Sequence, residues 1–329
     1  MLFSVLLRRF RILMILCSGG IFMISSNLHA NEYQLAVSNE RSNEVLLLSS
    51  DGKVLRQLHT CQRPKGIVTD PLNKHLWIAC SDDNRVVRID PSTGELKQQI
   101  AGFKGATGLA LFEDDKLLIS NEGSASVSVV NRQSGEFLAS LKTGYEPDGI
   151  VWSSNQQRIF VASENAGLVH VFSASNLQQE TVLLTNLRPR RMSVVADELW
   201  VSSEMGSRVE IFSMTSLKKI DEIVFSPKGF RSEQLTPVDI LFSKNGQQAY
   251  VALGAANHVA LIDTRARAIE KYILVGRRAW GLALSPDEER LFVLNGLSDD
   301  MTIIDLESRR PIASVRTGLV PHAVEVINK

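Results

Sequence analysis

Cysteine, aromatic side chains and net charge are all scarce in this chain of 329 residues. Three cysteines are too few for a disulfide-built scaffold or a paired CxxC zinc site, and no CxxCH haem-attachment motif occurs. The 36 basic residues balance 36 acidic ones, which argues against a dedicated nucleic-acid-binding protein. With 44% hydrophobic residues and well-mixed charge, the composition is that of a globular protein.

Recognisable catalytic and cofactor motifs are missing as well. The sequence contains no GxSxG, no Walker loop and no GxGxxG, and its six histidines show no HExxH spacing. The sequence therefore predicts no metal site, no resident cofactor and no catalytic centre carried by a known motif.

The first thirty residues differ in character from the rest. They contain three arginines and no acidic residue, followed by an apolar run that is broken at residues 18–20. A basic segment, a short apolar segment and the small Ala30 are typical of a secretory signal peptide, and the run is short for a membrane span. We predict a signal peptide over residues 1–30, one domain over 31–329, a periplasmic location and no membrane span after cleavage. An uncleaved anchor helix is the alternative.

A short segment recurs seven times through the rest of the chain. It reads Arg63-Pro64-Lys65-Gly66-Ile67 at its first occurrence and Glu146-Pro147-Asp148-Gly149-Ile150 at its third. Counted from the second position, the spacings are 42, 41, 42, 48, 42 and 42 residues, with an insertion near residues 227–235 in the long interval. The second positions are Pro64, Ala106, Pro147, Pro189, Pro237, Ala279 and Pro321. This period is typical of a β-propeller, whose blades each take roughly 40–45 residues.

Each repeat also contains short β-branched or aromatic runs such as Leu76-Trp77-Ile78-Ala79, and no segment sustains a helical period. Residues 31–60 supply the last three strands of a unit, and residues 322–327 supply a first strand alone. We therefore predict an all-β, seven-bladed propeller of four-stranded antiparallel blades, closed where the C-terminal strand joins the N-terminal blade.

Several of these segments resemble a known family. Tyr250-Val251-Ala252-Leu253 and the Arg-Pro-x-Gly-Ile segment resemble the YVTN family of β-propeller repeats. Glu198-Leu199-Trp200-Val201-Ser202-Ser203-Glu204 and Leu274-Val275-Gly276-Arg277-Arg278-Ala279-Trp280 are similar to its branch associated with PQQ-dependent catabolism. The resemblance implies a periplasmic protein that works beside PQQ-dependent alcohol oxidation and an ABC-type transport system. It implies no catalytic activity and no PQQ on this chain. The PQQ enzymes of propeller type have eight blades and a tryptophan docking repeat, which this chain lacks.

Two rings of variable residues are predicted to share one rim of the propeller, because both lie in loops on the same face of every blade. The first ring follows each repeat's second position: Lys65, Thr107, Asp148, Arg190, Val238, Trp280 and His322. The second ring follows the second strand of each blade: Glu40, Ser81, Glu122, Glu164, Glu204, Gly254 and Gly296. Either ring offers a polar mouth for a ligand or partner.

The charged and aromatic members of these rings are the candidate binding residues. Arg190, with Arg188 beside it, could hold a carboxylate or phosphate, and His322 with Asp148 could shuttle a proton. Trp280, with Arg278 beside it, could stack on a flat ligand. The alternative is that Arg190 pairs with Glu164 or Glu204 and that Trp280 packs between blades.

The glutamates of the second ring, including Glu122, do not suggest a metal site. Equivalent positions on neighbouring blades lie on the order of 10 Å apart, too far for one ion to bond them at roughly 2.0–2.6 Å. We interpret them as solvated loop acids. Asn43, Asn84, Asn257 and their equivalents are interpreted as turn formers.

Cys61 and Cys80 are predicted to lie on the same rim. A disulfide is feasible there, and two separate buried thiols are the alternative.

Two functions from different classes lead, and an electron-transfer domain with non-covalent haem is a third. The first is a non-catalytic propeller that binds a small ligand or a partner: a periplasmic quinoprotein dehydrogenase, a cytochrome or an ABC-transport component. The second is a lactonase- or lyase-type enzyme that acts on a small anionic substrate with His322 and a rim carboxylate.

Overall fold

The computed structural model describes residues 33–59, 61–70 and 74–328. The predicted signal peptide lies outside the described residues. Within them the chain forms 28 strands, β1 to β28, which pair into seven antiparallel sheets of four strands each. The predicted seven-bladed propeller is confirmed.

In each blade one inner strand is followed outwards by three further strands. From the inner strand outwards, blade 1 consists of β28 (Pro321–Asn328), β1 (Tyr33–Asn39), β2 (Glu44–Ser49) and β3 (Val54–Leu58). Blade 2 consists of β4 (Pro64–Asp70), β5 (His75–Cys80), β6 (Arg85–Ile89) and β7 (Leu96–Ala101). Blade 3 consists of β8 (Ala106–Phe112), β9 (Lys116–Asn121), β10 (Ser126–Asn131) and β11 (Phe137–Lys142). Blade 4 consists of β12 (Pro147–Ser153), β13 (Arg158–Ser163), β14 (Leu168–Ser173) and β15 (Gln179–Leu184).

The remaining three blades follow the same order. Blade 5 consists of β16 (Pro189–Val195), β17 (Glu198–Ser203), β18 (Arg208–Ser213) and β19 (Lys219–Val224). Blade 6 consists of β20 (Ile240–Phe242), β21 (Gln248–Ala252), β22 (His258–Asp263) and β23 (Ala268–Leu274). Blade 7 consists of β24 (Ala279–Leu284), β25 (Arg290–Asn295), β26 (Asp300–Asp305) and β27 (Arg310–Arg316).

The two chain ends close the ring as the sequence predicts. Strand β28 pairs antiparallel with β1, with Gln34 opposite Ile327 and Val37 opposite Val324. It also contacts β24 of blade 7 and β4 of blade 2, so every inner strand has an inner strand on each side. Blade 1 therefore exists only when both ends of the domain are present.

The hydrophobic core lies between neighbouring blades rather than inside any one of them. On β1, Leu35 and Val37 pack against blade 7, whereas Ala36 packs against blade 2. Side chains alternate between the two faces of a strand, and here both faces are covered. This is why the second strands read as continuous apolar runs such as Leu76-Trp77-Ile78-Ala79, which is buried throughout.

The glycine of the repeated segment marks a close approach between inner strands. A Cβ added to Gly66 would lie 2.5 Å from the carbonyl oxygen of Thr107, on the next inner strand. The equivalent glycines of three other blades, Gly108, Gly149 and Gly281, face the carbonyl oxygens of Asp148, Arg190 and His322, respectively. The inner strands also carry a register shift directly after the second repeat position, for example between Pro64 and Ile67. Such a bulge redirects side chains, and here it turns the first-ring residue into the central channel.

The 48-residue interval is occupied by a loop between β19 and the short strand β20. The loop contains a 3-10 helix, Ser232–Gln234, and the other 3-10 helix among the described residues is Glu122–Ser124. Phe225 and Leu235 anchor the loop in the core between blades 5 and 6. No helix in the described part of the chain is long and apolar enough to cross a membrane.

Cys61 and Cys80 form a disulfide with their Cα atoms 5.2 Å apart. It joins the loop before β4 to the end of β5, and both cysteines are buried. Of the two alternatives left open by the sequence, the structure shows the bridge.

Candidate functional site at the channel mouth

The residues that surround the mouth of the channel are held by strained but well-supported backbone. The residue before the second repeat position has a left-handed conformation in six blades: Arg63, Gly105, Glu146, Arg188, Arg278 and Val320. For a non-glycine residue this costs roughly 1–2 kcal/mol. Turn residues of the preceding blade support it, since Asn43 Oδ1 accepts from the amide of Arg63 at 2.8 Å and Asp299 Oδ1 from that of Val320 at 2.9 Å.

The turn residues themselves adopt the predicted role. Asn43, Asn84, Ala125, Gly167, Ser207, Asn257 and Asp299 all have positive φ. Asn84 and Asn257 make the same bond to the next blade, accepting from the amides of Gly105 and Arg278. They are turn formers, and in four blades they also fix the neighbouring rim residue.

Arg190 is at the centre of a buried ion-pair network. Its Nη1 lies 2.7 Å from Glu164 and 3.4 Å from Glu204, and its Nη2 lies 3.7 Å from Asp148. Arg188 pairs with the same two glutamates. Of the two readings of Arg190, the structure shows the pairing across the blade boundary, so its charge is already neutralised.

The second-ring glutamates differ from the expectation of solvated loop acids. Glu164 is 3% exposed and Glu204 8%, because arginines of the rim cover both. Glu122 is partly exposed, and its Oε1 accepts from Lys65 Nζ at 2.8 Å. Lys65 also donates to Thr107 at 2.9 Å. The interpretation was wrong because the narrow mouth brings acids onto cations of neighbouring blades.

Trp280 is half-buried and lies beneath two guanidinium groups. The Arg190 and Arg278 guanidinium carbons are 4.5 and 4.7 Å from its ring centroid. Such cation–π contacts hold an arginine over an indole face. The His322 ring centroid is 6.1 Å away. Trp280 is therefore engaged by protein groups, with an edge left to line the cavities.

His322 is buried at 3% exposure and lies between two cavities. Its Nε2 is 3.7 Å from Glu40 Oε1, and its Nδ1 has no hydrogen-bond partner among the described residues. Burial, reinforced by the charges of Arg191 and Lys65, lowers the pKa of His322 well below its usual value. The ring is therefore neutral, and its contact with Glu40 is not an ion pair in the resting protein.

Asp148 lies deeper in the same cluster and stays ionised. Burial alone would raise the pKa of this carboxyl, but the positive charges of Arg191 and Arg190 outweigh burial and lower it. Its two oxygens lie 3.5 Å from Arg191 and 3.7 Å from Arg190, and neither accepts a hydrogen bond from the described residues. Asp148 and His322, which the sequence predicts as a proton-shuttling pair, both lie in this buried cluster.

The outer cavity, of about 690 Å³, opens to solvent above Trp280 and His322. Arg41, Arg63 and Arg278 line it together with Glu40 and Asp82. Arg63 is held by Glu40 at 3.1 Å, while Arg41 has no ion-pair partner among the described residues. A smaller cavity of about 140 Å³ lies beneath and is lined by Arg191, Asp239, Trp280 and His322.

Sequence reasoning missed Arg41, Arg63, Asp239 and Glu325 as residues of this region. Asp239, directly before β20, lines the smaller cavity, and Glu325 lies on the inner strand β28. Burial raises the pKa of both carboxyl groups. A signal was available, since Asp239 occupies the position at which four other repeats carry glycine. Within the described residues no three His, Cys, Asp or Glu side chains are grouped to hold a metal ion.

Together the fold and the site define a seven-bladed β-propeller whose central channel ends in a charge-paired, partly open mouth. The sequence profile of the choice-of-anchor I domain matches residues 118–295, and the chain belongs to that family. No curated protein matches the sequence.

Solved propellers share the fold at low sequence identity. The periplasmic gluconolactonase of Pseudomonas aeruginosa has a TM-score of 0.76 at 20% identity, over 90% of this chain and 99% of that one. A putative 6-phosphogluconolactonase of Bacteroides fragilis has a TM-score of 0.76 at 13% identity, over 91% and 99%. Hydrazine synthase of Kuenenia stuttgartiensis has a TM-score of 0.71 at 17% identity, over 82% and 97%. At these identities the comparisons establish the fold alone.

Proposed function

We propose that the protein is a lactonase-type hydrolase that opens the ring ester of a small sugar-acid lactone in the outer cavity. The observation that carries the proposal is the neutral, buried His322 beside Glu40 at the floor of an open cavity ringed by arginines. The names of two propellers of this fold, the periplasmic gluconolactonase of Pseudomonas and the putative 6-phosphogluconolactonase of Bacteroides, support the same reaction class.

His322 serves as the general base in this proposal. A neutral imidazole accepts a proton from water as the water oxygen attacks the lactone carbonyl carbon. The carboxylate of Glu40, 3.7 Å away, stabilises the imidazolium that forms. The ring C–O bond then breaks, and the same proton passes from His322 to the departing ring oxygen, which becomes the hydroxyl of the hydroxy acid.

The arginines provide the complementary charge. Arg278 lies over Trp280 and 3.8 Å from Glu204, and its half-exposed side chain lines the cavity, where it can donate to the developing oxyanion. Arg41, without an ion-pair partner among the described residues, is suited to the carboxylate that forms when the ring ester opens. Arg63 holds the second carboxylate oxygen of Glu40, which leaves Oε1 for His322.

The test is hydrolysis of D-glucono-δ-lactone, followed by acid release against the spontaneous rate. The wild-type protein should accelerate the reaction, and His322→Gln should lose about 10²–10⁴-fold, the usual contribution of a positioned base. The exposed His59 supplies the matched control, since His59→Gln should leave the rate unchanged. A wild-type protein that does not exceed the spontaneous rate on any lactone or ester would contradict the proposal.

A second candidate is a non-catalytic propeller that binds a periplasmic quinoprotein dehydrogenase, a cytochrome or an ABC-transport component, after export through residues 1–30. The observation in its favour is that Lys65, Arg188 and Arg190 are already ion-paired, which gives the mouth a fixed, largely neutral surface. Its other support is the resemblance to the branch associated with PQQ-dependent catabolism. Capture from periplasm of cells growing on an alcohol should recover one of these partners, and their absence would count against it.

A further inference from the structure

A second cavity adjoins the outer cavity on the same rim. It measures about 520 Å³ and is lined by Ser81, Asn84, Glu122 and Glu146. Arg63 and Asp82 line both cavities, so the two form one trough that runs from Trp280 of blade 7 to Glu146 at the start of blade 4. The proposed hydrolytic site occupies only the blade 7 end of this trough.

Ser81 contributes a hydroxyl group to the wall of the second cavity. It is 4% exposed, and its Oγ has no hydrogen-bond partner among the described residues. It lines the cavity together with Glu122. Ser81 Oγ is not one of the buried polar atoms that lack a partner, so it is accessible from the cavity and can bond to water or to a ligand hydroxyl.

The second cavity is lined by both hydrogen-bond donors and hydrogen-bond acceptors. Asn84 Oδ1 accepts a hydrogen bond from the amide of Gly105, so the Nδ2 group of Asn84 is free to donate to a ligand. One carboxylate oxygen of Glu122 accepts a hydrogen bond from Lys65. The carboxylate of Glu146 has no hydrogen-bond or ion-pair partner among the described residues. Hydroxyl groups donate and accept at once and therefore match a wall of this kind.

We infer that this cavity is a subsite for a second, hydroxyl-rich sugar unit attached to the lactone. This rests on the proposed function and narrows its substrate class to aldonolactones of disaccharide size. The lactone carbonyl would lie at His322, and the attached sugar would extend past Arg63 and Asp82 to Ser81 and Glu146.

The experiment compares kcat/KM for D-glucono-δ-lactone and for the δ-lactone of lactobionic acid, which carries a galactose unit. The larger lactone should be preferred by about tenfold, the effect of one or two added hydrogen bonds. Ser81→Ala and Glu146→Gln should each remove about 3- to 10-fold of that preference and leave glucono-δ-lactone turnover unchanged. The exposed Glu136→Gln is the control and should keep the preference.

The failures are distinguishable. Equal kcat/KM for both lactones, with activity present, would overturn the subsite and leave the hydrolase intact. If neither lactone is hydrolysed, the proposed function fails, and calorimetric titration with lactobionate and gluconate decides the subsite. Tighter binding of lactobionate that Ser81→Ala weakens would support it, and equal binding would overturn it.

Discussion

The charged residues of the channel are stabilised mainly by one another. Asp148, Arg190 and Glu164 are each at least nine-tenths buried, and each lies within 4 Å of an opposite charge. Removing one member of such a set leaves its partner as an unpaired buried charge, which typically lowers the free energy of unfolding by about 3–5 kcal/mol. The cluster therefore fixes the shape of the mouth whether or not its members touch a substrate.

Glu325, on the inner strand β28, is an acid that is not stabilised by an opposite charge, since no cation lies close to it among the described residues. Burial raises the pKa of this carboxyl, and the hydrogen bond from the amide of Thr69, at 3.1 Å, opposes the rise only in part. The ionised form is therefore disfavoured in the folded protein at neutral pH.

We predict that Glu325→Gln raises the melting temperature at pH 7–8, because glutamine keeps an acceptor for Thr69 without the charge. The gain should shrink as the pH falls through the folded-state pKa, and it should vanish below the unfolded value of about 4.5. Thermal denaturation across pH measures this, with the exposed Glu136→Gln as control. A gain that persists at pH 3 would show that the charge is not its cause.

At the scale of the strand, the inner-strand glycines decide how closely the blades approach. Gly66, Gly108, Gly149 and Gly281 each face a carbonyl of the next inner strand, and none has a positive φ. Glycine is required at these positions because a Cβ atom would not fit against the neighbouring strand, not because the backbone needs a left-handed conformation.

We predict that Gly66→Ala destabilises the protein by about 1–3 kcal/mol, the usual cost of overpacking. The added Cβ would lie 2.5 Å from the Thr107 carbonyl, which belongs to backbone and cannot turn away. Gly296→Ala is the matched control, since its nearest atoms are 3.8 and 3.9 Å from the added carbon. Urea denaturation of both variants makes the comparison, and an equal effect would contradict the explanation.

The disulfide acts at the same scale, since it ties the approach to β4 to the end of β5. It closes a loop of 19 residues, for which the loss of unfolded-state entropy is about 3 kcal/mol. The double variant Cys61→Ala, Cys80→Ala should be less stable by about that amount. Reductant should lower wild-type stability towards the variant and leave the variant itself unchanged, as urea denaturation can show.

At the scale of the whole molecule, ring closure depends on β28. This strand contributes the inner edge of blade 1, the contacts to β4 and β24, and both His322 and Glu325. Its loss exposes the edge of β1 and one face of two neighbouring blades.

We predict that a chain ending at Val320 does not unfold cooperatively, whereas a chain lacking only Lys329 behaves as wild type. Circular dichroism during heating and gel filtration distinguish the two. Adding the peptide 321–329 in trans should restore part of the transition. A compact, cooperatively unfolding chain without residues 321–329 would show that closure is dispensable.

The fold could be predicted from the sequence because the same pattern of short strands and turns recurs seven times in a propeller. The spacing from Pro64 to Pro321, the apolar second strands and the missing first strand at Asn31 determine the number of blades and the way they close. These features are periodic, and a period survives the variation of individual residues. The two rings also follow from the repeat, since equivalent positions in equivalent blades must surround one axis.

The contacts within the rings were decided only by the tertiary structure. Glu164 and Arg190 are 26 residues apart in the chain, and Glu40 and His322 lie at opposite ends of it, yet the members of each pair meet at the mouth. The repeat fixes which residues face the channel, but the length and packing of side chains fix which opposite charges touch. For the same reason the cavities above His322 and beside Ser81, which are formed by loops from several blades, have no counterpart in any single stretch of sequence.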